Sequence, residues 1–180
     1  ASAAPGRVAF GLGASSNVIV ERWNGLEFSE PYRRVRDMLR FLRLALTGEK
    51  VTHRYETFEV QGFKLGLVPE VQPLIMVAAL REGMLRLASR EGDGAIINWL
   101  SASDVARVAS IVNDEADGRE IVARIFICPS EDADAVRAAA RFAIAAYLNV
   151  PVYAEFHRWL GRDDRLQGMW DHWKAGDRKA

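Results

Sequence analysis

Three observations predict an α/β protein with a parallel sheet. Residues 76–99 pass from an apolar run ending in Ala78 and Ala79 through a short segment with Met84, Leu85, Leu87 and Ala88 on one side. Gly92 and Gly94 then break that segment ahead of a second buried run at residues 95–97. Strand, turn, helix and strand in so short a span is the compact crossover of a parallel sheet. The same alternation of apolar run and helical pattern recurs along the chain. Finally, 180 residues with 49% hydrophobic and 27% charged content are enough for one core.

In chain order, the first strand is read at residues 8–12. A polar loop through Asn17 leads to Val18, Ile19 and Val20 and then to a turn at Trp23, Asn24 and Gly25. Ser29 and Pro31 announce a helix whose Val35, Met38, Leu39, Leu42 and Leu46 recur at three- and four-residue steps, with Gly48 as its stop. Arg33, Arg36, Arg40 and Arg43 lie on the other side and read as a solvated face. Residues 50–66 alternate, with Val51, Tyr55, Phe58, Val60 and Phe63 marking two strands of an appended hairpin. A strand at residues 74–79 follows Pro69 and Pro73.

Beyond Trp99, Ser101 and Asp104 are a cap and charged first turn for a helix through Val105, Val108 and Val112. Residues 113–118 are a loop and residues 121–128 a further strand ending at Pro129. An acidic start at residues 130–134 opens an alanine-rich helix to about Leu148, which Pro151 interrupts. A second helical piece spans residues 152–160, and a helical aromatic segment covers about 152–173. Tyr153, Phe156, Trp159, Trp170 and Trp173 in it read either as a lid over an apolar substrate or as core. The whole chain, 1–180, reads as one partial domain, and its alternating units suit either a doubly wound sheet or a (β/α)8 barrel.

Lysine plus arginine equals aspartate plus glutamate, 24 each, so no basic excess points to nucleic acid. No apolar run approaches the roughly eighteen residues of a membrane span. The single cysteine, Cys128, excludes an internal disulfide framework, fits a reducing compartment and reads as buried. The expected setting is cytoplasmic. His53, His157 and His172 are scattered without metal-ligand spacing, so no metal site is expected.

The segments GLGASSNVIVERWNG, GEKVTHRYETFEVQGFKLG, MVAALREGMLRLASREGDGAIINWL and AYLNVPVYAEFHRWLG resemble, in order, the luciferase-like monooxygenase superfamily, and within it the coenzyme F420-dependent oxidoreductases. The resemblance implies a (β/α)8 TIM barrel that holds F420, or FMN in the alternative, at its mouth and transfers a hydride to or from a small organic substrate. It implies a homodimer as well. On that pattern the chain runs from about the fourth to the seventh strand, as a fragment of a longer enzyme. Two other readings stay open, an FMN-dependent monooxygenase and a non-catalytic truncated barrel serving as a binding or assembly module.

The resemblance also assigns candidate cofactor residues. Asn17 falls where an amide meets the deazaflavin ring, its alternative being a loop residue bonded to its own backbone. Ala78, Ala79, Arg81 and Gly83 fall on the segment that cradles the cofactor phosphate, where small residues and a helix start favour an anion. Asn98, with Trp99 after it, ends the next strand at the same mouth. The sugar-phosphate dehydrogenases of the family carry a glutamate where this chain has Ala14 and a lysine where it has Ser101. That activity is therefore not expected. No catalytic residue is assigned.

Overall fold

The computed structural model describes Ala1 and residues 3–177, and it divides into two compact units, Ala1–Arg124 and Ile125–Ala180. In the first unit, strands β1 (Ala9–Leu12), β4 (Leu74–Ala78), β5 (Gly94–Asn98) and β6 (Glu120–Arg124) form one parallel sheet in the order β1-β4-β5-β6. Helix α1 (Pro31–Leu46) and the antiparallel hairpin β2 (Val51–Arg54) and β3 (Glu59–Phe63) lie between β1 and β4 in the chain. Helix α2 (Glu82–Arg90) links β4 to β5, and α3 (Ala102–Asn113) links β5 to β6. The two crossovers read from the sequence are both present.

The register gives the sheet two unlike faces, because successive side chains of a strand point to opposite sides. Ile75, Val77, Ala95 and Ile97 are at most 1% exposed, as are Leu85 and Ala88 of α2 and Val108 and Val112 of α3. α2 packs on β4, β5 and α3, so these side chains form the core of the unit. The opposite face carries Leu74 and Val122, 44% and 39% exposed, with Ala78 also exposed. A Leu85→Ala change in so dry a core costs about 2–5 kcal/mol.

The α2–β5 connection is tight enough to require glycine. A Cβ on Gly94 would lie 2.1 Å from the Glu120 carbonyl oxygen, and one on Gly92 2.7 Å from that of Ala88. Between them Asp93 accepts a hydrogen bond from the Ile75 amide at 2.6 Å and pairs with Arg43 at 2.7 Å. Burial pushes this carboxyl up, but the bonds from Arg43 and Ile75, with the charges of Arg43 and Arg119, hold it below the usual carboxylate range.

The arginines of α1 form a face that is solvated at Arg33 and Arg40, 54% and 50% exposed, yet largely tied down by ion pairs. Arg36, only 16% exposed, bridges the neighbouring Asp37 and Glu56 of the hairpin turn. Arg40 grips Glu91 with two bonds of 2.7 Å, and Arg43 holds Asp93. Their carboxylate partners lie up to 51 residues away, a pairing that no local pattern displays. Asp37 is itself buried and accepts from the Thr57 amide and hydroxyl at 2.9 and 3.0 Å, while Phe41 meets Tyr55, Phe58 and Phe63 edge-on. Charge on one flank and rings on the other fasten the hairpin to α1.

Two stretches differ from the reading of the sequence. Val18–Trp23 coil into a π-helical turn, and β6 ends at Arg124, the residue opposite the last residue of β5. Ile125 and Ile127 beyond it are 76% and 81% exposed, and Cys128 is exposed rather than buried. A strand lasts as long as its neighbour, and β5 ends opposite Arg124.

The second unit comprises α4 (Ala133–Leu148), α5 (Pro151–Trp159) and α6 (Asp163–Lys174). α4 starts at Asp132, whose carboxylate accepts from the Asp134 and Ala135 amides, and Pro151 begins α5 at the position where proline loses nothing. α5 and α6 fall on the helical aromatic segment read at about 152–173, with a break between Trp159 and Asp163, and Leu166, Met169, Trp170 and Trp173 keep a helical spacing in α6. Phe156 and Trp170 are 0% and 2% exposed, and the Trp170 indole donates to the Leu148 carbonyl at 2.9 Å. Those two aromatics are core residues of this unit. His157 is buried too, its Nδ1 3.0 Å from the Arg162 guanidinium and its ring against Phe156.

Candidate functional site

The carboxyl ends of β1, β4 and β5 lie side by side, since Leu12 is level with Val77 and Ala78 with Ile96. Ligands of parallel sheets bind at this end. Asn17, Ala78, Ala79, Arg81, Gly83 and Asn98 all follow or close these three strands, so the topology gathers every candidate at one end of the sheet.

Their parts differ. Asn17 is exposed in right-handed backbone (φ −55°, ψ −36°) at the head of the π-helical turn, with no side-chain capping bond. Ala78 faces the open side of the sheet. Ala79 is 3% exposed, and its amide donates to the Ile96 carbonyl at 3.0 Å, so this N–H belongs to the sheet and not to an anion. Asn98 closes β5 on the open face, its side-chain oxygen buried.

The start of α2 supplies the one α-helix terminus of the group. The first N–H groups of a helix have no acceptor within it and attract negative charge. Met84 and Leu85 donate to the Arg81 carbonyl at 3.1 and 3.0 Å, leaving the amides of Glu82 and Gly83 ahead of them at the tip. Arg81, the N-cap, makes no side-chain cap bond, and a guanidinium has no acceptor with which to make one. Gly83 stands within the helix rather than in a flexible loop. A Cβ built there meets nothing within 4 Å, so space is open beside the tip. The nearest carboxylate, Glu82, is drawn along the helix by Arg86 at 2.7 Å, and Arg86 also reaches Glu115. An anion at the tip thus meets two amides, the exposed Arg81 and a neutralised glutamate.

α3 begins differently. Ser101 Oγ accepts from the Asp104 amide, and Asp104 Oδ2 accepts from the Ser101 amide and hydroxyl at 2.9 and 2.6 Å. Ser101 is thereby committed to its own helix. Neither the Glu82–Arg86–Glu115 chain nor the left-handed backbone of Ser15 and Trp99, φ 61° and 59°, is foreseen by the sequence reading. The missing cap of α2 is legible there, because no serine, threonine, aspartate or asparagine precedes Glu82 by one or two places.

Among the described residues no group of three or more histidine, cysteine, aspartate or glutamate side chains is placed to hold a metal ion. Among the same residues no helix is long and apolar enough to cross a membrane.

The chain is similar to known proteins. The chain is 31% identical over 147 residues to the 5,10-methylenetetrahydromethanopterin reductase of Archaeoglobus fulgidus, covering 78% of the chain and 44% of that enzyme. It is 34% identical over 105 residues to an F420-dependent glucose-6-phosphate dehydrogenase of Gordonia bronchialis, covering 56% of the chain and 31% of that enzyme. The chain therefore spans less than half the length of these relatives. A solved F420-dependent secondary alcohol dehydrogenase, in complex with an F420-acetone adduct, superposes with a TM-score of 0.69 at 17% identity over 81% of the chain and 47% of its own. That superposition extends the likeness to the fold of the parallel sheet and its helices. The family model described as luciferase-like monooxygenase matches residues 1–180, end to end, and the chain belongs to that family.

Proposed function

We propose that the protein containing this chain is an F420-dependent oxidoreductase that moves a hydride to or from a small organic substrate. The observation that carries this reading is the uncapped start of α2, with open space at Gly83, beside Asn17 and Asn98 at the carboxyl end of the sheet. It is supported by the F420 dependence named for the Gordonia bronchialis dehydrogenase and the superposed alcohol dehydrogenase. The residues present suit the cofactor: amides and Arg81 for its phosphate, two carboxamides for polar edges. When bound, F420 supplies the hydride-carrying ring, so the protein needs to bind and orient rather than to attack.

In this reading Glu82 and Gly83 donate their amides to the phosphate, and Arg81 adds charge from solvent. Asn17 pairs with the carbonyl and N–H edge of the ring. Ala78 keeps the sheet surface low beneath the cofactor. Asn98 lies on the far side of β4 from Asn17 and offers its carboxamide to a second polar edge of the cofactor. The open sheet face and the outer flanks of β1 and β6 take the remaining βα units of a (β/α)8 barrel, for which a chain covering 44% of a relative leaves ample length. The charge balance and lone cysteine suit a cytoplasmic protein, and family resemblance a homodimer.

The test is equilibrium titration of the full-length protein with F420 and, separately, with FMN. Binding of F420 at least about tenfold tighter, a difference of about 1.4 kcal/mol, is expected. Tighter FMN binding would turn the assignment to a flavin monooxygenase. Retention of neither would leave a non-catalytic barrel.

A further inference from the structure

A cleft of about 520 Å3, a size common to small-molecule sites, lies between α1 and the hairpin. It borders Glu91, the residue that ends α2, and so sits toward the amino end of β5, away from the α2 tip. Leu39 and Leu44 of α1 and the rings of His53 and Tyr55, 4.4 Å apart, give it an apolar wall. The rest of the lining is charged, four arginines against three carboxylates, and every carboxylate is engaged. Asp37 takes Arg36 and Thr57, Glu56 takes Arg36 at 2.9 Å, and Glu91 takes Arg40. Two donors are not engaged. Among the described residues Arg54, exposed at the end of β2, enters no hydrogen bond or ion pair. Tyr55 is 8% exposed, and its hydroxyl has no hydrogen-bond partner, a rare condition for a buried polar group. Net positive charge and two unengaged donors against an apolar wall are the complement of an organic anion.

We propose that this cleft binds a small organic anion, a flat apolar body carrying a carboxylate or phosphate. The proposal is independent of the hydride transfer argued above, since no residue of the cleft belongs to the cofactor end of the sheet. Arg54 clasps two oxygens of the anionic group with its planar fork. The Tyr55 hydroxyl donates to the same group, and the body of the ligand lies along Leu44 and His53. A bare inorganic ion would use the donors and leave the apolar wall uncovered, and an uncharged ring would do the reverse.

Calorimetric titration of the full-length protein with phenyl phosphate and, separately, with benzoate tests this. At least one is expected to bind with a Kd below about 1 mM, and the tighter of the two names the anionic group. Inorganic phosphate and benzyl alcohol should bind at least tenfold more weakly. Arg54→Gln breaks no described bond, so it should weaken the probe at least tenfold while melting temperature and F420 affinity hold. Tyr55→Phe should weaken the probe several-fold without lowering the melting temperature, because the hydroxyl it removes has no partner in the free protein. Gly83→Asp, at the other end of the sheet, should leave the probe untouched. Binding of neither organic anion, equal affinity for inorganic phosphate, or a probe insensitive to Arg54→Gln overturns the proposal. So does loss of the probe on Gly83→Asp, which would hand it to the α2 tip. Failure to bind F420 with probe binding intact would instead bring down the proposed function and leave this site standing.

Discussion

Two helices start at the same end of one sheet, after neighbouring strands, and they treat their free amides in opposite ways. α3 satisfies its first turn internally through Ser101 and Asp104, the latter 8% exposed. α2 begins at Arg81, whose guanidinium supplies no acceptor, and the Glu82 carboxylate is turned to Arg86 instead. A cap on Ser, Thr, Asp or Asn contributes about 1 kcal/mol over residues that cannot make one. Of the two, only α2 forgoes that stability, although its neighbour shows the device within reach. In the function proposed above, this difference leaves α2 as the end available to an external anion and α3 as a structural joint.

The sharpest way to break this contrast is to place a fixed carboxylate where the phosphate belongs. Gly83→Asp puts a negative charge in the first turn of α2, which the helix dipole welcomes. At about 5 Å from a phosphate and an effective dielectric near 20, repulsion amounts to about 3 kcal/mol, on the order of a hundredfold in affinity. F420 titration should show that loss while the unliganded protein melts no lower than wild type. Unchanged affinity would remove the phosphate from α2.

The mirror experiment acts on α3. Asp104→Ala dismantles the capping box and is expected to cost about 1–2 kcal/mol of stability by urea unfolding. F420 affinity should stay within about twofold, because that terminus holds no ligand in this reading. A large loss of binding with little loss of stability would reverse the roles given to the two helices.

Much of this contrast is legible in the amino-acid sequence. The two βα crossovers, the α3 cap and the hairpin all follow from local spacing, since capping and strand alternation are written within a few residues. What a local reading cannot reach depends on distance. Arg40 with Glu91 and Arg43 with Asp93 join positions about fifty apart, and a helix face rich in arginine looks the same whether solvated or bolted down. The Ala79 amide is misplaced by such a reading too, because only the β4–β5 register shows that Ile96 already takes it. Similarly, the end of β6 depends on the length of its neighbour and not on its own apolar run. Of the candidate site, the clustering is visible in the order of elements, whereas the division of labour between amides is not.

A smaller change sharpens the comparison from the other side. Arg81→Ser offers α2 the hydroxyl acceptor it lacks. The unliganded protein should gain about 0.5–1 kcal/mol, and F420 affinity should fall about fivefold as an amide is diverted and a positive charge lost. Denaturant unfolding and titration report the two effects separately. A gain in both would mean that the open terminus is tolerated and not used.

The smallest expected effect lies at the opposite end of β5, where the sheet is held by charge with no ligand involved. Asp93 pairs with Arg43 and receives the Ile75 amide, and its folded carboxyl lies below the ordinary value of 3.8. A depressed folded value means that the contribution is complete above the unfolded value and is lost as pH falls below it toward the folded one. Arg43 is 38% exposed, so solvent screening limits the pair to at most about 1 kcal/mol. Asp93→Asn should lower stability by about that much at neutral pH and flatten the part of the acid limb below pH 3.8 that this group supplies. Asp37 carries a depression of the same sign, so acid unfolding of the double variant should be flatter still. F420 affinity at neutral pH should not move in Asp93→Asn, because Asp93 precedes β5 and lies at the end of the strand away from its carboxyl terminus. A change in affinity here would mean that the base of the sheet and its ligand end are energetically coupled, and the contrast between α2 and α3 would then no longer be local.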